Sequence, residues 1–420
     1  MRADNFRPFF VSTYMKRAII SLTIFIVAAN GALFSQSRTA SDTKLKQETF
    51  EKVWRIINEN FYDPAFNGVD WKAMHDKYLP QSAAAAKDDE FYFVLNTMLK
   101  ELKVSHTAVI SPDVLAKMSG PTTTTGLGLR IIAGELVITK TLSDSSAAKA
   151  GLKPGYVLTK VDGDEVRSLE DALKKLAGPG GSDVVVSYKD GSDEIHEAAL
   201  ERVLLSEADK SELTKGIKLY ALFESKRLDT NIGYIRFTSF IKFLTPRFTA
   251  AVESMNDAPG IIIDLRGNPG GDDNMAIKMA GMFFAKETHL MIIKTRNSVN
   301  RQYKAKPNGK PYLGPLVILV DELSGSASEE FSAAMQEIGR AYVIGKTTIG
   351  QDLDADLVKL PTGAFLLYPF GQSFTPKGIK IEGRGVIPDK EVELTRSSLL
   401  NGHDAQLEAA IDHIKSKFPK

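Results

Sequence analysis

Five short segments of this sequence carry residue types whose spacing suits chemistry or recognition. Ser324-Gly325-Ser326-Ala327-Ser328-Glu329 stands between an apolar run, Leu316 to Val320, and a helical pattern from Ser328. A serine at a strand-to-helix turn presents its hydroxyl where free N–H groups and the helix dipole stabilise an oxyanion. Ser326 and Glu329 also have the spacing of a capping box, which gives the same segment a purely structural reading. Asp264-Leu265-Arg266-Gly267-Asn268-Pro269-Gly270-Gly271 follows a second apolar run. Its glycines let successive N–H groups aim into one cavity and hold an oxyanion or a phosphate. A glycine-rich turn with Arg266 paired to an acid accounts for it equally well. It lacks the Gly-Lys ending of a phosphate-binding loop.

Ser105-His106, in Leu102-Lys103-Val104-Ser105-His106-Thr107, contains one of only six histidines. His106 is a candidate general base, although a lone histidine is more often structural. Glu382, in Lys380-Ile381-Glu382-Gly383-Arg384-Gly385-Val386-Ile387-Pro388-Asp389, is a candidate to orient a histidine, or a surface carboxylate in a turn. Gly126-Leu127-Gly128-Leu129 opens a strand with exposed N–H groups. These can hold a chain-terminal carboxylate while the peptide adds as an extra strand. With no cysteine and no His-x-x-His spacing, a metal site is not expected, and serine-nucleophile chemistry needs no cofactor.

The elements that position these segments fall into three patterns. Helical periodicity marks 42–62, ended by Asp63-Pro64, and Asp88 to about Leu102. Ser119 to Thr125 reads as a linker. Short strands follow at 127–132, 136–141, 156–161, 184–188 and 195–199, with helical stretches near 145–150 and 168–176. From Ile232 onward, strands at 232–237, 261–265, 316–320 and 341–344 alternate with helices at 245–255, 274–285 and 328–338. That alternation predicts an α/β domain with a largely parallel sheet. Residues 286–312 read as a polar flap near the site, and 404–418 as a last amphipathic helix.

With 43% hydrophobic and 25% charged residues, the chain is ordinary globular material, and a formal charge of +1 argues against nucleic acid as a partner. Lys16-Arg17 precede an apolar run from Ala18 to Phe34, then Ser35-Gln36-Ser37, the pattern of a secretory signal. The run falls short of the roughly 20 residues that span a bilayer comfortably. Cleavage near Ser35 or Gln36 removes four cations and one acid and moves the balance to −2. No stable membrane span is expected after it. The mature chain is then exported, to the periplasm or beyond.

Taken in order, these segments resemble the carboxyl-terminal processing (tail-specific) protease family and its tricorn-like relatives, over nearly all of the mature chain. Ala147 to Gly163 resembles the most recognisable part of a PDZ domain. Asp264–Gly271 is similar to the family's Asp-Leu-Arg-x-Asn-Pro-Gly-Gly, and Gly325–Glu329 to its nucleophile segment. One design in the family pairs the serine with a lysine. Here the corresponding position is Gln351, which cannot take a proton, and Lys346 lies off the motif. The tricorn-like design takes a histidine from the N-terminal part and a glutamate near the end, and His106 and Glu382 match it.

The resemblance implies Ser326 as nucleophile, His106 as base, Ser105 oriented by Glu382 and holding the histidine, and an oxyanion hole from Ala327 with Gly270 or Gly271. It implies a ClpP/crotonase-like α/β core with an inserted PDZ-like β-rich domain and an N-terminal helical segment. The expected division is a signal peptide at 1–36, a helical segment at 37–118, a PDZ-like domain at 119–202, the protease core at 203–398 and a terminal helix at 399–420. The activity implied is endopeptidase action on unfolded or C-terminally exposed polypeptides. The alternative is an inactive PDZ-bearing scaffold that binds C-termini, which Gln351 keeps open. A third reading, the lipid-carrying relatives that share the core, has nothing else in the sequence to support it. Protease and scaffold differ in one geometric demand. The arm bearing His106 must pack on the core, with the histidine within hydrogen-bond reach of Ser326 or Ser105.

Overall fold

The computed structural model describes residues 40–119, 123–205, 210–213, 217–296 and 300–418. The segment read as a signal lies outside them. Among the described residues no helix is long and apolar enough to cross a membrane.

The core is a six-stranded sheet ordered Phe223–Arg227, Gly233–Phe237, Ile261–Asp264, Leu316–Val320, Tyr342–Gly345 and Lys390–Glu391. The first pair is antiparallel and every later pair is parallel. Ile261–Asp264 and Leu316–Val320 are buried at every residue, as central strands covered on both faces must be. Phe237, Phe240, Phe248 and Phe283 fill one face together with Phe331 of the Ala327–Glu337 helix. Ala410 and Ile414 of the Ala405–Lys415 helix cover the other.

A second sheet joins this core to the N-terminal arm. Ala108–Ile110, Phe365–Phe374, Thr288–Thr295 and Asn300–Ala305 lie in that order, with Leu353–Lys359 also paired to Phe365–Phe374. The polar flap expected at 286–312 is thus largely a hairpin in this sheet. The arm opens with the helices Ala40–Asn60, Trp71–Ala84 and Asp88–Lys100. The middle one carries Pro80 and only three buried residues, Trp71, Tyr78 and Ser82, which left it without a readable apolar stripe. The arm packs on the core: Phe50, Phe61, Phe91 and Leu95 share one cluster with Leu360, Ala364, Leu366 and Tyr368. Each such phenylalanine or leucine side chain contributes about 1.5–3 kcal/mol when fully buried. Asn96 locks the junction, accepting from the Val109 N–H at 2.8 Å and donating to its carbonyl at 3.0 Å.

The inserted domain is a sheet ordered Leu127–Ile132, Glu135–Thr141, Val157–Val161, Asp183–Lys189 and Ile195–Glu201, with Asp164–Glu165 paired to its third strand. The helix Leu169–Leu176 packs into its core through Ala172 and Leu176. Part of the expected linker is ordered as a strand, Thr123–Thr124, paired with Val203–Leu204. The divisions expected at 118/119 and 398/399 fall inside the helices Pro112–Ser119 and Arg396–Leu400. The second of these helices packs on the inserted domain, with Leu399 against Val137 and Val157.

Candidate active site

Ser326 occupies the turn between Leu316–Val320 and Ala327–Glu337 at φ 49° and ψ −125°. Positive φ is strained for a residue with a Cβ and costs of order 1–3 kcal/mol, so the surroundings must hold it there. Glu329 does much of this. Its carboxylate accepts from the N–H groups of Ser326 (3.1 Å), Gly350 (2.7 Å) and Gln351 (2.9 Å) and from the Thr348 hydroxyl. Burial pushes its pKa up to about 7 even though four donors favour the charged form. The Ser326–Glu329 arm of the capping box is present, and it braces the turn from below. This extended role of Glu329 was invisible in sequence, because three of its four partners, at 348–351, lie 19 to 22 residues away.

The glycine loop closes over the same turn. Gly270 (φ +104°) lies so near that an added Cβ would stand 2.7 Å from the Gly325 carbonyl, 2.8 Å from the Ser326 Cβ and 2.9 Å from the Ala327 nitrogen. Its N–H donates to Asn268 Oδ1 at 2.9 Å and is therefore already engaged. Among the described residues no acceptor takes the N–H of Gly271 or Ala327. Of the three candidates for an oxyanion hole, these two have an N–H without an acceptor among the described residues. Gly270 supplies clearance instead. Asn268, fully buried, shapes the loop by also donating to the Phe237 carbonyl and accepting from Gly325 N–H and Ser328 Oγ through its own carbonyl. Arg266 is paired with Asp264, Nε to Oδ1 at 2.9 Å and Nη2 to Oδ2 at 2.7 Å, as the structural reading of that loop required. The adjacent guanidinium groups of Arg266 and Arg236 hold the fully buried Asp264 carboxyl far below the usual range.

Ser105, His106 and Glu382 come together from opposite ends of the chain. Glu382 accepts from the Ser105 N–H at 3.0 Å and from the Ser105 hydroxyl at 2.9 Å. Ser105 Oγ lies 2.7 Å from His106 Nδ1. A hydroxyl has one proton, and here it goes to the carboxylate. Ser105 therefore accepts from Nδ1–H, and the lone pair of the neutral ring is left on Nε2. Burial lowers the His106 pKa to about 4, so the ring is neutral at physiological pH. No hydrogen bond joins His106 to Ser326. His106 reaches its neighbour Ser105, and Glu382 ties that pair to the core.

Two consecutive residues connect the two clusters. The Ser326 N–H donates to the Gln351 carbonyl at 2.9 Å, and the Asp352 N–H donates to Glu382 Oε2 at 2.6 Å. Gln351 thus serves through its backbone. Lys346 is turned away and paired with Glu393 at 2.6 Å.

On the inserted domain, Gly126 N–H bonds to Thr124 Oγ1 at 3.0 Å, and Leu127, Gly128 and Leu129 begin the edge strand. That strand pairs with Glu135–Thr141, and no described strand covers its other edge. Such an edge can accept an added peptide strand. Arg130, on the same strand, reaches across to Asp321 (Nε to Oδ2, 2.8 Å), while Asp321 Oδ1 accepts from Gly267 N–H at 2.8 Å. The inserted domain is thereby tied to the glycine loop, a link the sequence did not suggest because Asp321 lies outside the recognised motifs.

A strained serine at a helix N-terminus and a histidine ordered by a hydroxyl and a carboxylate are features that a serine-type peptidase requires. Comparison with known proteins agrees. Residues 231–392 match the model of peptidase family S41, 43–100 the tricorn protease C1 domain and 137–189 the PDZ domain. The carboxyl-terminal-processing protease of Synechocystis sp. (strain ATCC 27184 / PCC 6803 / Kazusa) is 28% identical over 399 residues, covering 91% of this chain and 90% of that protein. That of Picosynechococcus sp. (strain ATCC 27264 / PCC 7002 / PR-6) is 27% identical over 388 residues, covering 87% and 89%. The solved photosystem II D1 C-terminal processing protease is similar in fold, with a TM-score of 0.58 and 24% identity over 86% of this chain and 98% of that one. Over most of its length the chain is thus similar to carboxyl-terminal processing proteases, and it is a serine peptidase with an α/β core, a PDZ domain and an N-terminal helical segment.

Proposed function

We propose that this protein is an exported serine endopeptidase, periplasmic or secreted, that cleaves unfolded or C-terminally exposed polypeptides. Ser326 attacks the scissile carbonyl, and His106 Nε2 takes its proton and returns it to the leaving amine. Ser105, held by Glu382, fixes the imidazole tautomer, which keeps the base-plus-orienter logic of other serine hydrolases with different members. The N–H groups of Gly271 and Ala327 receive the oxyanion, and losing one such donor typically costs about 3 kcal/mol in the transition state. The edge strand at Gly126–Leu129 recognises free C-termini of the polypeptide substrate. The observation that carries this reading is the Ser105 hydroxyl placed between the Glu382 carboxylate and His106 Nδ1, because it assigns the basic lone pair to Nε2.

The test pairs hydrolysis of unfolded casein with labelling by a fluorophosphonate serine probe. Both are run on wild type and on Ser326→Ala and His106→Ala. Activity and labelling in wild type, lost in both variants, are expected. Retained binding of peptide C-termini with neither cleavage nor labelling in wild type would make the protein a scaffold.

A further inference from the structure

Beside the nucleophile turn lies a second group of acids that the reaction does not use. Asp273, Glu330 and Asp354 each bring a carboxylate oxygen to within 4.8 Å of the others. Asp273 opens the helix after the glycine loop, Glu330 is on the first turn after Ser326, and Asp354 is on the strand that follows Gln351-Asp352. Glu330 is 7% exposed and Asp354 4%. Among the described residues no lysine or arginine forms an ion pair with any of the three. Three like charges so enclosed are costly unless something of opposite charge offsets them.

Hydrogen bonds do not supply the balance. Ser373 Oγ stands 2.7 Å from Glu330 Oε1 and 2.6 Å from Asp354 Oδ2, yet it has one proton to give. Glu330 Oε2 is buried with no hydrogen-bond partner. A proton held between Asp273 and Glu330 relieves only part of this charge, and among the three acids Arg301 acts on Asp354. A cation serves all three carboxylates at once. Oxygens at this spacing suit an ion with bonds of about 2.3–2.6 Å and irregular oxygen coordination, the preference of Ca²⁺.

We propose that Asp273, Glu330 and Asp354, with the Ser373 hydroxyl, form a binding site for a hard divalent cation, Ca²⁺ foremost. The ion cross-links the helix after the glycine loop, the helix headed by Ser326 and the strand leaving the Glu382 contact. It stiffens the site and takes no part in the bond-breaking step. This inference is independent of the catalytic assignment, since none of its ligands belongs to the Ser105–His106–Glu382 group.

The test uses the purified protein after chelation and gel filtration. Thermal unfolding is followed alone and with millimolar Ca²⁺ or Mg²⁺, and bound metal is counted by mass spectrometry. Ca²⁺ is expected to raise Tm by about 3 °C or more, with one ion retained per chain. The rise is expected to vanish in Asp273→Asn, Glu330→Gln and Asp354→Asn. Asp273→Asn, at a half-exposed helix start, is the mildest of the three and keeps the test open if the buried variants fail to fold. Asp190→Asn, in the other close acidic group with Glu194 and His196, serves as control and keeps the rise. No retained ion and no shift with either cation in wild type overturns the proposal. So does a shift that survives in Asp273→Asn or disappears in Asp190→Asn.

Discussion

Glu382 takes both hydrogen-bond donors of Ser105, its N–H at 3.0 Å and its hydroxyl at 2.9 Å, although 277 positions separate them. Ser105 is thereby left with only acceptor capacity toward His106. Ser105→Ala removes the orienter and leaves the base in place. It is expected to lower kcat by about 10²-fold, within the range that general-base catalysis supplies, with KM little changed. Glu382→Gln keeps the shape and weakens the anchor, and Ser105→Thr, which retains a hydroxyl, recovers part of the loss. Steady-state kinetics on a peptide substrate separates these effects. Equal loss in Ser105→Thr and Ser105→Ala would mean the hydroxyl is not what matters.

Gln351 touches the nucleophile turn through its main chain, its carbonyl on Ser326 N–H and its N–H on Glu329. Gln351→Ala leaves both contacts intact. Its kcat/KM is expected to stay within about threefold of wild type, the scale of a substitution that breaks no buried contact. A loss as deep as that of His106→Ala would return the amide side chain to the chemistry.

The site was legible in sequence where a short motif supplies both the residue and its scaffold. Ser326 before a helix and Asp264–Gly271 after a buried strand are of this kind, because the α/β alternation placed both at strand ends. The Asp273–Glu330–Asp354 group and the Arg130–Asp321 link were not legible, since each joins segments that periodicity treats separately. The second sheet was missed for the same reason. Asn300–Ala305 is mostly polar, and Ala108–Ile110 finds its partner only at Phe365–Phe374. Spacing left Gly270 and Gly271 as equal candidates, because it cannot show that Asn268 already holds the Gly270 N–H.

Burial sets the His106 pKa near 4, below the ordinary value of 6.5. The acid limb of kcat/KM is therefore expected nearer pH 4 than 6.5, since that limb reports the free enzyme's base. Stability follows the same shift. Between pH 6.5 and 4 the unfolded chain binds a proton that the folded ring refuses, so this contribution is fully present above 6.5 and is lost as pH falls through the window. Wild type should lose Tm relative to His106→Gln over that range. Parallel Tm profiles of the two proteins would show that the folded ring titrates as it does in the unfolded chain.

Gly270 fits only because it has no Cβ. Alanine there must adopt φ +104° and place a carbon under 3 Å from three atoms of the nucleophile turn. Strain of about 1–3 kcal/mol is expected from the backbone alone, and the collision falls on Ser326 itself. Gly270→Ala should therefore lower Tm and abolish fluorophosphonate labelling together. Asn268→Ala probes the same loop from below. It frees the Gly270 N–H and leaves the buried Phe237 carbonyl without the Asn268 amide as donor, at about 1–3 kcal/mol for each group left unsatisfied. If Gly270 N–H were the true oxyanion donor, releasing it would preserve or raise kcat in the folded fraction. The geometry predicts the reverse: with Gly271 and Ala327 as donors, loosening the loop blurs their convergence, and kcat falls along with Tm.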